Sequence, residues 1–187
     1  MPAEKGGPAV EATTGPEAAG RLAADLVAAY TAQLGAYREW LALARQAQEH
    51  LRSDDVDEFL RVHARKEAVA SRLQNMEDKV HACRRGLAHF VGVDEPTLTH
   101  LQEAAAQLPD PAYLAAVADL PALLDQLRAV MQELQAVEET TEHLLRERLL
   151  SLRAHISQTQ MARRASRAYH AHPPAGDGEA RFIDHKG

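Results

Sequence analysis

The amino-acid sequence predicts an all-α fold: a long antiparallel helical hairpin plus a third long helix, together a coiled-coil-like bundle. The composition is the first reason, since 36 of the 187 residues are Ala and 23 are Leu, whereas only 13 are Val or Ile and aromatic residues make up 4%. The second is that proline is absent from 17–95 and from 122–172, which leaves room for long helices. The third is an apolar pattern of helical period in both intervals.

The first helix is predicted from about Arg21 to Arg52, after a disordered leader at residues 1–19 that is rich in proline and glycine. Its apolar residues alternate steps of four and three, which is the period of about 3.5 that marks a coiled-coil seam. The seam is formed by Ala23, Val27, Tyr30, Leu34, Tyr37, Leu41, Ala44, Gln48 and Leu51.

The second helix is predicted from about Val56 to Phe90, with an N-cap at Ser53–Asp55 and a stop at Gly92. Lys66 is the one polar break in its seam, and its stem can lie along the seam while the ammonium reaches water. The similar period of the two seams predicts that Leu73, Met76, Val80 and Leu87 are buried against Tyr30, Leu34, Tyr37 and Leu41.

Two short helices, Thr97–Leu108 and Pro111–Ala118, are predicted in the connector, and Pro121 is predicted to begin the third long helix. That helix runs to about Tyr169, which closes a single helical-bundle domain at 20–169 and leaves a mobile tail at 170–187. A wide apolar face ends at a polar interruption, 138–142, that is interpreted as a solvated face or a hinge. A narrower apolar stripe then resumes at Leu145, Leu149, Leu152, Ile156 and Thr159.

Charge and composition exclude several classes of protein. The net charge of −6 and the pI near 5.9 argue against a nucleic-acid-binding protein. A single cysteine excludes a disulfide framework. The first twenty residues contain no apolar signal segment, and no apolar run approaches the ~18 residues of a membrane span, so a cytoplasmic protein is expected. Charge is uneven: residues 91–142 hold ten acids and one arginine, and residues 143–170 hold six arginines and one glutamate.

The sequence contains no convincing catalytic or metal site. There is no glycine-rich phosphate loop and no nucleophile elbow, and Cys83 lies at a seam position. The carboxylates of 138–142 next to His143 lack the paired Glu-x-x-His motifs of a di-iron bundle. We therefore predict no enzymatic activity, no cofactor and no metal; a helical-bundle metalloenzyme that uses this acidic cluster is the remote alternative.

The order of these features resembles the FlgN-type flagellar export chaperones over about residues 21–187. The resemblance begins with the seam of the first helix and the acidic, leucine-containing turn that follows it. Thr141 stands where many members have Asn. The matching segments are Leu51–Leu60, Lys66-Glu67, Arg84, Gly92, Thr97–Leu101, Thr141–Leu145, Tyr169, Gly176 and Phe182–Lys186.

The resemblance implies a cytosolic, non-ATPase chaperone of the flagellar type III export system. Its implied clients are the hook–filament junction proteins FlgK and FlgL, whose terminal amphipathic helices drive assembly. A chaperone of this kind masks such a helix with an exposed seam of its own. It then passes the client to the export gate protein FlhA, which is a second implied partner.

The client is predicted to dock on the stripe of Leu145, Leu149, Leu152 and Ile156, whose steps of four, three and four place them on one helix face. Two alternatives remain open. The third helix could fold back along the hairpin and bury the stripe, or the protein could be a structural or adaptor coiled coil that self-associates through its seams. The other predicted partner-binding residues are Arg146, Arg148, Arg153, Tyr169, Phe182 and Ile183.

Overall fold

The computed structural model describes residues 15–108 and 110–171, and every regular element in these two ranges is an α-helix. The predicted all-α class and the helical bundle are therefore confirmed. The helices are α1 (Pro16–Arg52), α2 (Val56–Val91), α3 (Leu98–Gln107) and α4 (Pro111–Ala171).

The described chain divides into two units at residues 142 and 143. The first unit contains α1, α2, α3 and the N-terminal half of α4, and the second contains the rest of α4. Residues 16–19 of the predicted leader are helical, and Ala19 is buried. Residues 1–14 and 172–187 lie outside the described residues, so the disorder of the leader and of the tail stays a prediction.

The turn between α1 and α2 has the predicted capping chemistry. The Asp55 carboxylate accepts a hydrogen bond from the Glu58 N–H at 3.1 Å, and Asp57 and Glu58 place negative charge in the first turn of α2. Asp54 takes a φ of 66°, in the left-handed region where Asp is enriched. Gly92 ends α2 with a φ of 77°, which confirms the predicted stop.

Helices α1 and α2 form the predicted antiparallel hairpin. At its turn end Ala36, Leu43 and Ala47 pack against Val62, Val69 and Leu73, and at its open end Ala19, Ala23 and Leu26 pack against Val80 and Leu87. The α2 seam is therefore as predicted, although Met76 is only partly buried.

The α1 half of the predicted pairing is wrong at two positions, because α1 has a second apolar face. Leu34 packs against Leu123 and Leu127 of α4, and Leu41 packs with Ala44 and Leu134. Arg38 donates to the Gln126 amide oxygen at 2.9 Å, and Arg45 pairs with Glu133. Both polar pairs are 88 residues apart, so the N-terminal half of α4 runs parallel to α1.

Helix α4 begins ten residues earlier than predicted, at Pro111, and Pro121 lies inside it. An internal proline costs about 3 kcal/mol because it removes a backbone donor and crowds the preceding turn. Burial offsets this cost, since Tyr113, Val117 and Leu120 are all at most 3% exposed. Asp110 accepts a hydrogen bond from the Ala112 N–H at 2.9 Å and so caps the new start.

Helix α3 closes the open end of the hairpin and matches the predicted segment. Its Leu101 is buried, and its carbonyl accepts a hydrogen bond from the Tyr113 hydroxyl at 3.2 Å. Its capping box, in which Thr97 and His100 exchange two hydrogen bonds of 3.3 Å, was not predicted from the sequence. The histidine takes the place that Glu or Gln usually holds in this motif.

Glu138 of α4 is the point where three helices meet. Its Oε1 accepts a hydrogen bond from Trp40 Nε1 of α1 at 3.1 Å and lies 2.5 Å from Lys66 Nζ of α2. The Lys66 side chain is only 10% exposed. Two interpretations are therefore wrong: the Lys66 ammonium pairs with a carboxylate instead of reaching water, and Glu138 does not belong to a solvated face. A charged seam residue is tolerated here because it has an ionic partner.

Leu73→Ala should lower the free energy of unfolding by about 2–5 kcal/mol, because it leaves a cavity between α1 and α2. Leu60→Ala, in the same helix at a side chain that is 56% exposed, is the matched control and should cost far less. Urea denaturation of both variants checks this. A loss below about half a kcal/mol for Leu73→Ala would contradict the packing of the hairpin.

Glu138→Gln should lower the free energy of unfolding by about 1–3 kcal/mol, because the Lys66 ammonium loses its carboxylate in a largely buried place. Glu139→Gln removes the neighbouring exposed carboxylate and should change stability by no more than about 0.5 kcal/mol. Thermal melts followed by circular dichroism compare the two. Equal effects would mean that the Lys66–Glu138 pair contributes nothing specific.

Candidate partner-binding surface

The arm, as we call residues 143–171, is the described part of the second unit and is helical throughout. Neither glycine nor proline occurs between 122 and 171, and the segment is rich in Leu, Arg, Ala and Gln, which favour helices. His143 Nε2 lies 3.3 Å from a Glu147 carboxylate oxygen one turn later. The Thr159 hydroxyl donates to the His155 carbonyl at 2.9 Å. Local sequence is therefore sufficient to explain the helix.

The predicted apolar stripe is exposed over most of its length. Leu149 is 52% exposed, Leu152 is 58% exposed and Ile156 is 56% exposed, and every side chain from 149 to 168 is exposed. Leu145 is half-buried. Whether the stripe binds a partner stays a prediction.

The arm is strongly cationic. It has six arginines against Glu147, a net charge of +5 over residues 143–170, whereas residues 91–142 have a net charge of −9. Arg146 and Arg153 are exposed, and Arg148 is half-buried. Positive charge towards the C-terminal end of a helix complements the helix dipole, so this distribution also stabilises the arm.

The remaining predicted residues lie at or beyond the end of the described chain. Tyr169 is part of α4, two residues before its end. Phe182 and Ile183 lie outside the described residues. Their predicted roles in partner binding stay predictions.

Two further exposed apolar side chains of the arm were not predicted from the sequence. Leu150 is 64% exposed and Met161 is 60% exposed, which makes them the most exposed large apolar side chains of the described residues. They do not belong to the predicted stripe. Their spacing of eleven residues, about three helical turns, was the signal that could have revealed them.

An open, largely apolar groove of about 720 Å³ lies in the first unit. It lies between α1 and α4 and is lined by Tyr30 and Tyr37 on one side and by Leu124, Leu127 and Met131 on the other. Burial raises the pKa of both tyrosines, so their hydroxyls are neutral at physiological pH. Glu77 of α2 and Arg128 of α4 also line the groove, so its walls combine apolar surface with charged side chains.

Whether the protein has catalytic activity or binds a metal stays a prediction. No cluster of three His, Cys, Asp or Glu side chains in the described residues could hold a metal ion. Burial, and secondarily Asp25, raise the pKa of the Cys83 thiol, which disfavours the reactive thiolate. Within the same residues, no helix combines the length and apolar character needed to cross a membrane.

The family model for the FlgN protein matches residues 22–172. The chain belongs to the FlgN family. The match includes nearly all of α1, the hairpin, α3 and the whole of α4 up to its end. Membership makes the chain a flagellar export chaperone in the general sense of that family, as the resemblance implied. No curated protein and no solved structure matches the chain.

Proposed function

We propose that this FlgN-family chain binds the terminal amphipathic helix of hook–filament junction proteins of the FlgK and FlgL type and keeps them unassembled before export. The observation that carries the proposal is the exposed stripe of Leu149, Leu152 and Ile156 on a cationic helix. Membership of a family of export chaperones supports an interaction of this kind.

The mechanism is reversible masking of an apolar surface. The stripe repeats every three or four residues, so it accepts an amphipathic helix through knobs-into-holes packing. A client helix held in this way cannot pair with a neighbouring client. Arg146, Arg148 and Arg153 steer an acidic client towards the arm. This attraction raises the association rate more than the affinity, and the association rate therefore falls as the salt concentration rises.

The proposed role places the protein in the cytoplasm, where it meets clients before export. We assign Tyr169, Phe182 and Ile183 to contacts with the client or with the export gate protein FlhA. For Tyr169, a packing role at the helix end is the alternative. Binding, masking and release require no covalent step, so the proposal includes no enzymatic activity.

Self-association as a structural or adaptor coiled coil is the alternative function. It has less support because the seam residues of α1 and α2 are already buried within the chain. The arm would be the main surface left for such contacts. A large, stable oligomer of the purified protein, measured by light scattering, would favour this alternative.

The double variant Leu149→Asp and Ile156→Asp should abolish binding of purified FlgK- and FlgL-type proteins. Both side chains are more than half exposed, so helicity and the melting temperature should remain nearly unchanged. Isothermal titration calorimetry measures binding, and circular dichroism checks the fold.

The matched control is Ser151→Asp with Gln158→Asp, which adds the same charge at the same seven-residue spacing on another face of the arm. It should leave binding within about twofold, a change of less than half a kcal/mol. Normal client binding by the Leu149 and Ile156 variant in a folded state would show that the binding surface lies elsewhere. Unfolding of that variant would show that the stripe belongs to the core.

A further inference from the structure

The arm exposes apolar side chains on two separate faces. At about 100° per residue, Leu149, Leu152 and Ile156 cluster on one side of the helix, and Leu150 and Met161 lie about 140° away around the axis. Five of the nine large apolar side chains that are exposed in the described residues belong to the arm. We call the first face stripe A (Leu145, Leu149, Leu152, Ile156) and the second stripe B (Leu150, Ala154, Met161).

A single partner helix cannot cover both stripes. A helix that packs against another contacts an apolar sector about 100° wide. Stripes A and B are further apart than that, so a helix seated on stripe A leaves Leu150 and Met161 in water. These two side chains have the largest exposed fractions among the large apolar residues described, 64% and 60%. Their burial therefore needs a second element.

Arginine occupies the sector between the two stripes. Arg153 and Arg164, eleven residues apart, both lie there and are exposed. The opposite sector carries Ser151, His155, Gln158 and Ala162, with Glu147 at one edge and Arg148 at the other. Three of the six arginines of the arm, Arg146, Arg153 and Arg164, therefore lie between the stripes, whereas Arg163 and Arg167 lie on the side of stripe A.

We propose that the arm inserts between two helices of one partner, which present apolar sides to stripes A and B and carboxylates to the arginines between them. This inference rests on the proposed function. It specifies that the client surface bound by the arm consists of two helices with carboxylates between them. The cationic sector between the stripes supports this chemistry, because guanidinium groups enclosed by a partner require carboxylates.

The test uses the full chain and the purified full-length FlgK-type protein, with binding measured by calorimetry. The stripe B variant is Leu150→Gln with Met161→Gln, and its matched control is Ser151→Gln with Ala162→Gln, at the same eleven-residue spacing in the opposite sector. We expect the stripe B variant and the pair Arg153→Gln with Arg164→Gln each to weaken binding at least tenfold. The control should stay within twofold, and circular dichroism should show that all variants remain helical.

The outcomes separate this inference from the proposed function. If Leu149→Gln with Ile156→Gln weakens binding but the stripe B variant does not, one helix suffices, and the inference fails while the proposed function stands. Light scattering measures how many copies of this chain the complex contains. Two copies would mean that stripe B contacts the arm of a second copy, and this result would also overturn the inference. Absence of binding by the unmodified chain would overturn both.

Discussion

Helix α1 packs against both α2 and α4, and this constraint determines the arrangement of the first unit. One face supplies Ala36, Leu43 and Ala47 to α2, and the adjacent face supplies Leu34 and Leu41 to α4. Ala36 and Ala47 are small side chains that allow the two helices of the hairpin to approach closely, and Leu43 between them fills the remaining space. Because both faces of α1 are used internally, most of the apolar seam of the hairpin is buried within the first unit.

The Glu138 carboxylate gives this apolar packing a defined register. Lys66 and Trp40 reach the same oxygen from two helices, so sliding α4 by one turn would remove the carboxylate from both. Leucine contacts alone tolerate such a shift better, since the same residue type recurs every turn or two. Buried polar pairs are known to fix register in other helical assemblies. In this protein the pair also lies in the last turns of α4 before the arm.

Most features that depend on local sequence were predicted correctly, although the capping box of Thr97 and His100 was not. Several features that depend on tertiary packing were not predicted. Asp55 and Gly92 set the ends of α2 through contacts within a few residues, so they could be predicted. Pro121 could not, because its place inside α4 depends on burial of Tyr113 and Leu120 against other helices. Likewise, the partner of Lys66 lies 72 residues away. At the candidate site, the period revealed Leu149 and Ile156, but Leu150 and Met161 fall outside a single stripe.

The exposure of the arm has a consequence for its thermodynamics. A helix whose side chains from 149 to 168 are exposed gains little from tertiary burial, so its helix content depends on nucleation, propensity and local pairs such as His143 with Glu147. Heating should therefore fray it gradually, without the sharp transition of the packed unit. The arm also exchanges between helix and coil on the microsecond scale or faster. A partner that binds only the helical form must shift this equilibrium towards helix. The affinity for the partner therefore depends on temperature through the helix–coil equilibrium of the arm.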